Sequence, residues 1–348
     1  MTVQSSMAAQ GNDAESVSRQ RPTELLWSEN FLFTLYDDQY NVGMWLHIGS
    51  VPTAWHLWED RVYLTLPDGG VLSMMAYHAR SDQADQLGPA GSVMKFICLE
   101  PFTRWHISFD GFAWYTSEQA MRAGGEPRYR RRLKIDMNVA CTSPAWHGHT
   151  STGSEGQQGM SGQSWAKEHY EQLTAADGNL IVDDHEYKLS CTGWRDHSRG
   201  PRGRKSQDAW GGHVIGGCQF PGGRQLLFSR YWRPDGVVSM TGGMLVDEQG
   251  AKHSVVVHDA PVLTELSLRG EELPIRISWD YGEATLSMET RASIWVPRER
   301  KHIVGRDHHS SLNDMYVLNW GPISWGKETA YAYLERSAHL NALPKSIK

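Results

Sequence analysis

Residues 193–202, Gly193-Trp194-Arg195-Asp196-His197-Ser198-Arg199-Gly200-Pro201-Arg202, put one carboxylate, one imidazole and three guanidiniums within ten positions. Mixed charge at this density beside a tryptophan suits either a buried ion-pair network or a proton-transfer site. The two make opposite demands on Asp196. Pinned between arginines, its carboxyl keeps a low pKa and stays a base; in an apolar pocket its pKa rises and it can act as an acid. As a working pair, Asp196 would be the acid or base and His197 its proton partner. Adjacent residues of a regular strand point to opposite faces, so both reach one cavity only if the segment is bent.

Two further groups of polar side chains lie nearby. His169-Tyr170-Glu171-Gln172 comes first, and in a strand it would turn His169 and Glu171 to one face and Tyr170 and Gln172 to the other. Asp208-Ala209-Trp210-Gly211-Gly212-His213 follows, so donors, acceptors and stacking rings crowd into about 45 residues. His169 and Tyr170 would be secondary donors. Trp194, Trp210 and Trp45 would line a cavity and stabilise cationic character with their ring faces. Other chemistries find less support. His147-Gly148-His149 and His308-His309 lack a spaced acid or third histidine, so no metal is expected. No glycine-rich loop joins a strand to a helix as a phosphate cradle would, and no cofactor is expected. A serine nucleophile elbow is also missing. Arg130-Arg131-Arg132 beside Tyr129 reads as a solvated face.

The elements that must carry these residues are strands. The 348-residue chain is 40% apolar and 21% charged, with 15 Trp and 34 Gly, a pairing that suits half-buried pleated surfaces joined by tight turns. Arg61–Leu66 and Val71–Tyr77 flank Pro67-Asp68-Gly69-Gly70, a hairpin by its residues. The later turns Pro221-Gly222-Gly223, Pro234-Asp235-Gly236 and Tyr281-Gly282-Glu283 punctuate an antiparallel meander. The fold class is therefore all-β, two antiparallel barrels or sandwiches. The Gly- and Ser-rich stretch from Ser143 to Gly162 sets the expected boundary. A disordered tail would cover 1–22, one β domain 23–160, and a second 161–348 with the Arg-Asp-His run. No short repeat period suggests a propeller. A formal charge of −6 argues against nucleic acid as partner, despite the basic stretch Arg199 to Lys205. There is no transmembrane run and no signal-peptide hydrophobic segment. The four widely spaced cysteines fit reduced thiols, so the cytoplasm is the expected address.

Trp194-Arg195-Asp196-His197-Ser198-Arg199-Gly200-Pro201-Arg202 also resembles the Arg-Asp-His-Ser-Trp-Gly-Pro-Arg signature of a lipocalin-related superfamily. Carotenoid 1,2-hydratase, kievitone hydratase and AttH-like proteins belong to it. His169-Tyr170-Glu171-Gln172 is similar to the segment that opens the second domain of many bacterial members. The stretch from Glu29-Asn30-Phe31 to Gly49, with Tyr36-Asp37 and Gly43-Met44-Trp45-Leu46, looks like their first domain, and Ala330-Tyr331-Ala332-Tyr333-Leu334-Glu335 like their closing strand. The resemblance implies two tandem lipocalin-like domains with an apolar cavity, and places Tyr36 among the substrate-binding residues. In the hydratases an Asp-His-x-Trp motif and a downstream Tyr-x-Asp carry the chemistry. This chain has Arg199 at the tryptophan's place and Phe228-Ser229-Arg230 at the downstream pair. Two arginines would repel a carbocation, so polyene hydration is not expected. A substrate with a carboxylate or phenolate end, held by Arg199 or Arg230, fits better.

The expected activity is thus a cofactor-independent hydro-lyase or isomerase: a hydratase, dehydratase, double-bond isomerase or cyclase. Its substrate would be a hydrophobic terpenoid, polyketide, steroid or aromatic compound. Such steps need only a placed acid and base in a dry cavity. The alternative is a non-catalytic lipocalin-like carrier of an apolar ligand, with Asp196 permanently clamped by Arg195 or Arg202. The oligomeric state is not legible in the sequence.

Overall fold

The computed structural model describes residues 15–124, 129–148, 167–202, 210–297, 304 and 314–341. The first sheet comprises β1 (Trp27–Asp37), β2 (Val42–Val51), β3 (Ala54–Thr65), β4 (Gly70–Ala79), β5 (Met94–Glu100), β6 (Arg104–Ser117), β7 (Tyr129–Cys141), β8 (Trp146–His147), β9 (Glu168–Val182) and β10 (His185–Pro201). Its neighbours run β10-β1-β2-β3-β4-β6-β7-β9, and β9 pairs with β10 to close an eight-stranded barrel. Among the described residues one short α-helix, α1 (Glu118–Ala123), follows β6 and is capped by the Ser117 side chain.

The second sheet holds β11 (Gly212–Gln219), β12 (Gln225–Trp232), β13 (Val238–Val246), β14 (Lys252–Asp259), β15 (Glu272–Trp279), β16 (Gly282–Glu289), β17 (Ala292–Pro297), β18 (Asp314–Trp325) and β19 (Glu328–His339). Its order is β16-β15-β14-β13-β12-β11-β19-β18-β17, and it curls until Ser287 and Met288 of β16 meet Ser324 and Ile323 of β18. All pairings are antiparallel, so the chain is all-β as its turns imply.

Those turns behave as their residues dictate. At Pro67-Asp68-Gly69-Gly70 the Leu66 N–H bonds back to Gly70, Gly69 takes φ +81°, and Asp68 accepts from the Gly70 N–H. Pro234-Asp235-Gly236 repeats the device, with Gly236 at φ +84° and Asp235 accepting from Val237. A residue without a Cβ meets the positive φ at no steric cost.

Alternation then sorts the side chains. Along β1, Phe31, Phe33 and Leu35 fill the first barrel, while Leu32 and Tyr36 join a core shared with the second sheet. That shared core runs through Trp194 and Leu173 to Trp320, Tyr333 and Tyr231. Glycines let the two sheets approach: a Cβ on Gly43 would stand 2.5 Å from the Trp320 ring, and one on Gly217 would stand 2.7 Å from Leu173.

Two expectations need correction. The sheets do not divide after residue 160, because β9 and β10 complete the first barrel; the Arg-Asp-His run closes that barrel and does not belong to the second sheet. β10 is bonded to β1 over ten residue pairs and to β9 over fifteen, which no linker position could have revealed. Nor are residues 15–18 a loose tail. They form no strand, yet Glu15 and Val17 are buried in the first barrel. Residues 149–162 of the expected linker, His149, His308 and His309, Asp208 and Ala209, and positions 203–205 of the basic stretch lie outside the described residues. Among the described residues, no helix is long and apolar enough to cross a membrane.

Candidate functional site

Strand β10 is regular through its charged run. Asp196 therefore faces away from His197, and the two side chains serve different surroundings. The antiparallel register sets Asp196 opposite Glu171, Ser198 opposite His169, His197 opposite Tyr170 and Arg195 opposite Gln172. Arg195, His197, Arg199 and Tyr170 turn into the barrel; Trp194, Asp196, His169 and Glu171 turn out toward the second sheet.

Inside the barrel the arginines of β10 meet carboxylates. Arg195 forks onto Glu15 at 3.0 and 2.8 Å and lies over the rings of Trp105, Tyr170 and Phe33. The Tyr170 hydroxyl touches Glu15 and sits 2.8 Å from His197 Nδ1. His197 Nε2 and Arg199 Nε both reach Glu29, at 3.3 and 2.9 Å, and Arg80 adds a third contact at 3.0 Å. Arg199 also binds the exposed Glu168. Burial pushes the Glu29 carboxyl up, but the His197 hydrogen bond and the Arg199 and Arg80 charges outweigh it and hold it at about 2. The expected role of Arg199 as a substrate anchor finds its guanidinium already spoken for by two carboxylates.

On the outer face the acids are not neutralised. His169 Nε2 lies 2.9 Å from Glu171 Oε1, and its Nδ1 lies 3.9 Å from Asp196 Oδ2. One imidazole thus stands between two carboxyls, and Trp194 Nε1 donates to the far oxygen of Glu171 at 3.1 Å. Burial pushes Asp196 up to about 7, with His169 pulling it down and Glu171 and Glu335 pressing it further up. Glu171 is raised well above the ordinary range by burial, only partly offset by the Trp194 donor. Burial also keeps the His169 ring neutral, lowering its pKa. No arginine forms an ion pair with Asp196 among the described residues; Arg202 is felt only as a more distant charge.

The second sheet supplies the opposing wall. Glu335 on β19 accepts from His213 Nε2 at 3.0 Å, the Tyr333 hydroxyl at 2.5 Å and Trp45 Nε1 at 3.3 Å. Burial raises its pKa, but these donors and the His213 charge prevail and leave it below the ordinary value. Ser337 Oγ lies 2.6 Å from His213 Nδ1 and fixes the ring, which stacks on Tyr231. Two carboxyls held toward the protonated form therefore face one held ionised. The Asp196 side chain keeps 14% exposure, so it is not sealed off completely from solvent.

A cleft of about 390 Å³ opens between the sheets, lined by Thr34, Tyr36, Leu173, Trp320, Tyr331 and Tyr333 among others. Tyr333 joins it to the acid cluster: its ring borders the cleft and packs 5.7 Å from Trp194, while its hydroxyl reaches Glu335.

Of the residues singled out in the sequence, Asp196, His169, Trp194 and Trp45 come together at the inter-sheet face. Trp210 lies beside them, stacked on Tyr316 and 6.0 Å from His213. Tyr36 lines the cleft, its hydroxyl on Asn41. His197, Tyr170 and Arg199 sit on the other side of the barrel wall. Arg230 follows the parity of Phe228 and Trp232, which pack inside the second sheet, and pairs with Asp259. Its neighbour Tyr231 is the side chain that faces the site. Glu171, Glu335, Tyr333, His213 and Tyr231 escaped a role in the sequence reading. The alternation in His169-Tyr170-Glu171-Gln172 did put Glu171 on the face of His169, and Tyr333-Leu334-Glu335 carries the same two-residue period.

Comparison with known proteins agrees with this architecture. No curated protein sequence matches the chain. Among solved structures, an AttH-like protein of Nitrosomonas europaea superposes with a TM-score of 0.59 at 13% identity, covering 90% of this chain and 92% of the other. Kievitone hydratase of Nectria haematococca superposes with a TM-score of 0.50 at 7% identity, covering 89% and 88%. At these identities the likeness is one of fold. The family model described as a domain of unknown function, DUF7064, matches residues 13–289, and the chain belongs to that family.

Proposed function

We propose that the protein is an acid–base lyase or isomerase that adds, removes or relocates a proton, with or without water, on an apolar small molecule held between the two sheets. The observation that carries the reading is the condition of Asp196. It is a largely buried carboxyl that forms no ion pair with an arginine among the described residues, held near neutrality and linked through His169 to a second protonated acid. Environments that push neighbouring carboxyls apart mark acid and base roles. Asp196 delivers the proton and recovers it through His169 from Glu171. Glu335, kept ionised, faces the positive charge that develops on the substrate. Trp194, Trp45 and Tyr333 present ring faces and exclude water from it. The likeness to a hydratase is one of fold, which by itself leaves the reaction open.

The test begins with the ligand. Small molecules released on denaturation and identified by mass spectrometry supply the candidate, which is then incubated with the wild-type protein and with Asp196→Asn. Conversion by the wild type and retained binding without conversion by the variant are expected. A ligand that both proteins bind and release unchanged would sink the enzymatic reading.

A carrier remains the second reading because the walls of the cleft do not include Asp196. An apolar ligand seated against Trp320 and Tyr331 alone would use the cleft without the acids. Substitution of Tyr333 by Ala, which opens the passage between them, separates the two: it alters conversion under the first reading and only affinity under the second.

A further inference from the structure

The inner end of the first barrel contains a feature that the inter-sheet chemistry does not use. Arg195 is 1% exposed, 4.9 Å from the Trp105 ring centre and 5.5 Å from that of Phe33, among buried aromatic side chains. Among the described residues its one carboxylate partner is Glu15, 180 positions away in a segment that forms no strand. Residues 15–18 are held through side chains of the barrel. Arg195 and Tyr170 take the Glu15 carboxylate, Arg199 takes the Ser16 carbonyl, Arg80 the Ser18 carbonyl, and Glu29 accepts from the Ser18 N–H. Val17 packs into the core beside them.

A guanidinium in such a place is a poor way to fill a barrel. Well-packed apolar side chains of similar volume usually do as well or better than a buried ion pair. Here the fork of Arg195, the Tyr170 hydroxyl and three aromatic rings form a complete receptor for a planar carboxylate with a short apolar body. The chain's own Glu15 and Val17 match that description. Arg195 Nε finds no partner among the described residues, so the receptor has a donor that its present occupant leaves unused.

We infer that the end of the first barrel is a carboxylate-binding site, occupied by Glu15 of the same chain, which exchanges with a small monocarboxylate when residues 15–18 withdraw. The rest of the interior is packed, so the ligand is limited to about the space that Glu15 and Val17 vacate. The site is separate from the acid cluster, lying across the β9–β10 wall from Asp196.

Full-length protein tests the exchange, with acetate and benzoate as probes and acetamide, benzamide and matched sodium chloride as controls. In the wild type, benzoate should raise hydrogen exchange at Val17 and Ser18 at least tenfold, saturably, while benzamide does not. Glu15→Ala should melt lower than the wild type and regain several degrees on saturation with acetate or benzoate but not with the amides. Adding Arg195→Met to that variant should remove the response. Benzoate that stabilises Glu15→Ala yet leaves wild-type exchange unchanged overturns the inference, since Glu15 is then a fixed part of the core. Should Glu15→Ala fail to fold, the wild-type exchange measurement decides alone.

Discussion

The two faces of the β9–β10 wall both carry buried acids and a histidine and have opposite electrostatics. On the inner face, Glu15 and Glu29 meet Arg195, Arg199 and Arg80, and each carboxylate is held ionised. On the outer face, Asp196 and Glu171 meet an imidazole and an indole, and each carboxyl is raised. Burial is similar; the nature of the partners differs. A guanidinium cannot give up its charge and so pins the acid beside it, whereas a neutral histidine leaves the proton free to move. The comparison teaches that charge density in a sequence marks a buried cluster but not its purpose, which is set by the partner each acid meets across the sheet.

The largest effect should come from removing the outer acid. Asp196→Asn keeps the side-chain size and deletes the proton, so turnover should fall about a hundredfold to ten-thousandfold, as is usual for general acid–base groups. The same substitution should leave the melting temperature at pH 8 unchanged or higher. At that pH Asp196 is ionised in the folded state against the preference of its buried surroundings, which raise its pKa. A variant that melts clearly lower than the wild type at pH 8 would erase the contrast between the faces, making Asp196 a structural ion-pair member.

Next in size is the inner face. Glu29→Gln leaves Arg199 and Arg80 without their shared carboxylate, and breaking such a pair typically costs about 3–5 kcal/mol. Denaturant unfolding should show that loss, with the turnover of the surviving folded protein within a few-fold of the wild type. A large fall in turnover at full stability would mean that the two faces work as one site.

The pH dependence of stability sharpens the comparison further, since the two faces have opposite signs. The folded-state pKa of Asp196, about 7, lies above its ordinary 3.8, so the folded chain keeps a proton that the unfolded chain releases. Its contribution is fullest below about pH 4 and declines as pH rises to about 7. Glu29 lies at about 2, below its ordinary 4.5, so its contribution is present above pH 4.5 and lost as pH falls toward 2. Urea midpoints measured across pH should therefore lose their neutral-side slope in Asp196→Asn and part of their acid-side slope in Glu29→Gln. Identical profiles for the two variants would contradict the assignment.

The smallest effect belongs to Arg230, whose partner Asp259 is 67% exposed. Arg230→Ala should change stability by no more than about 1 kcal/mol, as solvent-screened pairs do, and should leave ligand affinity unchanged. A tenfold loss of affinity, read by calorimetry, would return Arg230 to the site.

Much of this was legible locally. Turn chemistry at Pro67-Asp68-Gly69-Gly70 and Pro234-Asp235-Gly236 depends on the φ preferences of single residues, so the hairpins could be read directly. The two-residue period also separated His169 and Glu171 from Tyr170 and Gln172. The same rule separates Asp196 from His197, and pairing them required a bend that β10 does not make. Arg230 and Tyr231, one position apart, present opposite faces, and it is Tyr231 that joins the inter-sheet core.

What the sequence determined by itself is therefore the strand class, the turns and the parity of side chains within each strand, because those follow from backbone sterics over a few residues. Only the tertiary structure decided which strands close the first barrel, that Glu15 reaches Arg195 across 180 positions, and that Glu335 of the second sheet faces Asp196 of the first. Those pairings rest on long-range packing of two sheets through Gly43, Gly217 and their tryptophan and leucine neighbours. The pKa of an acid depends on what that packing brings beside it, and no run of neighbouring residues in the chain contains that information.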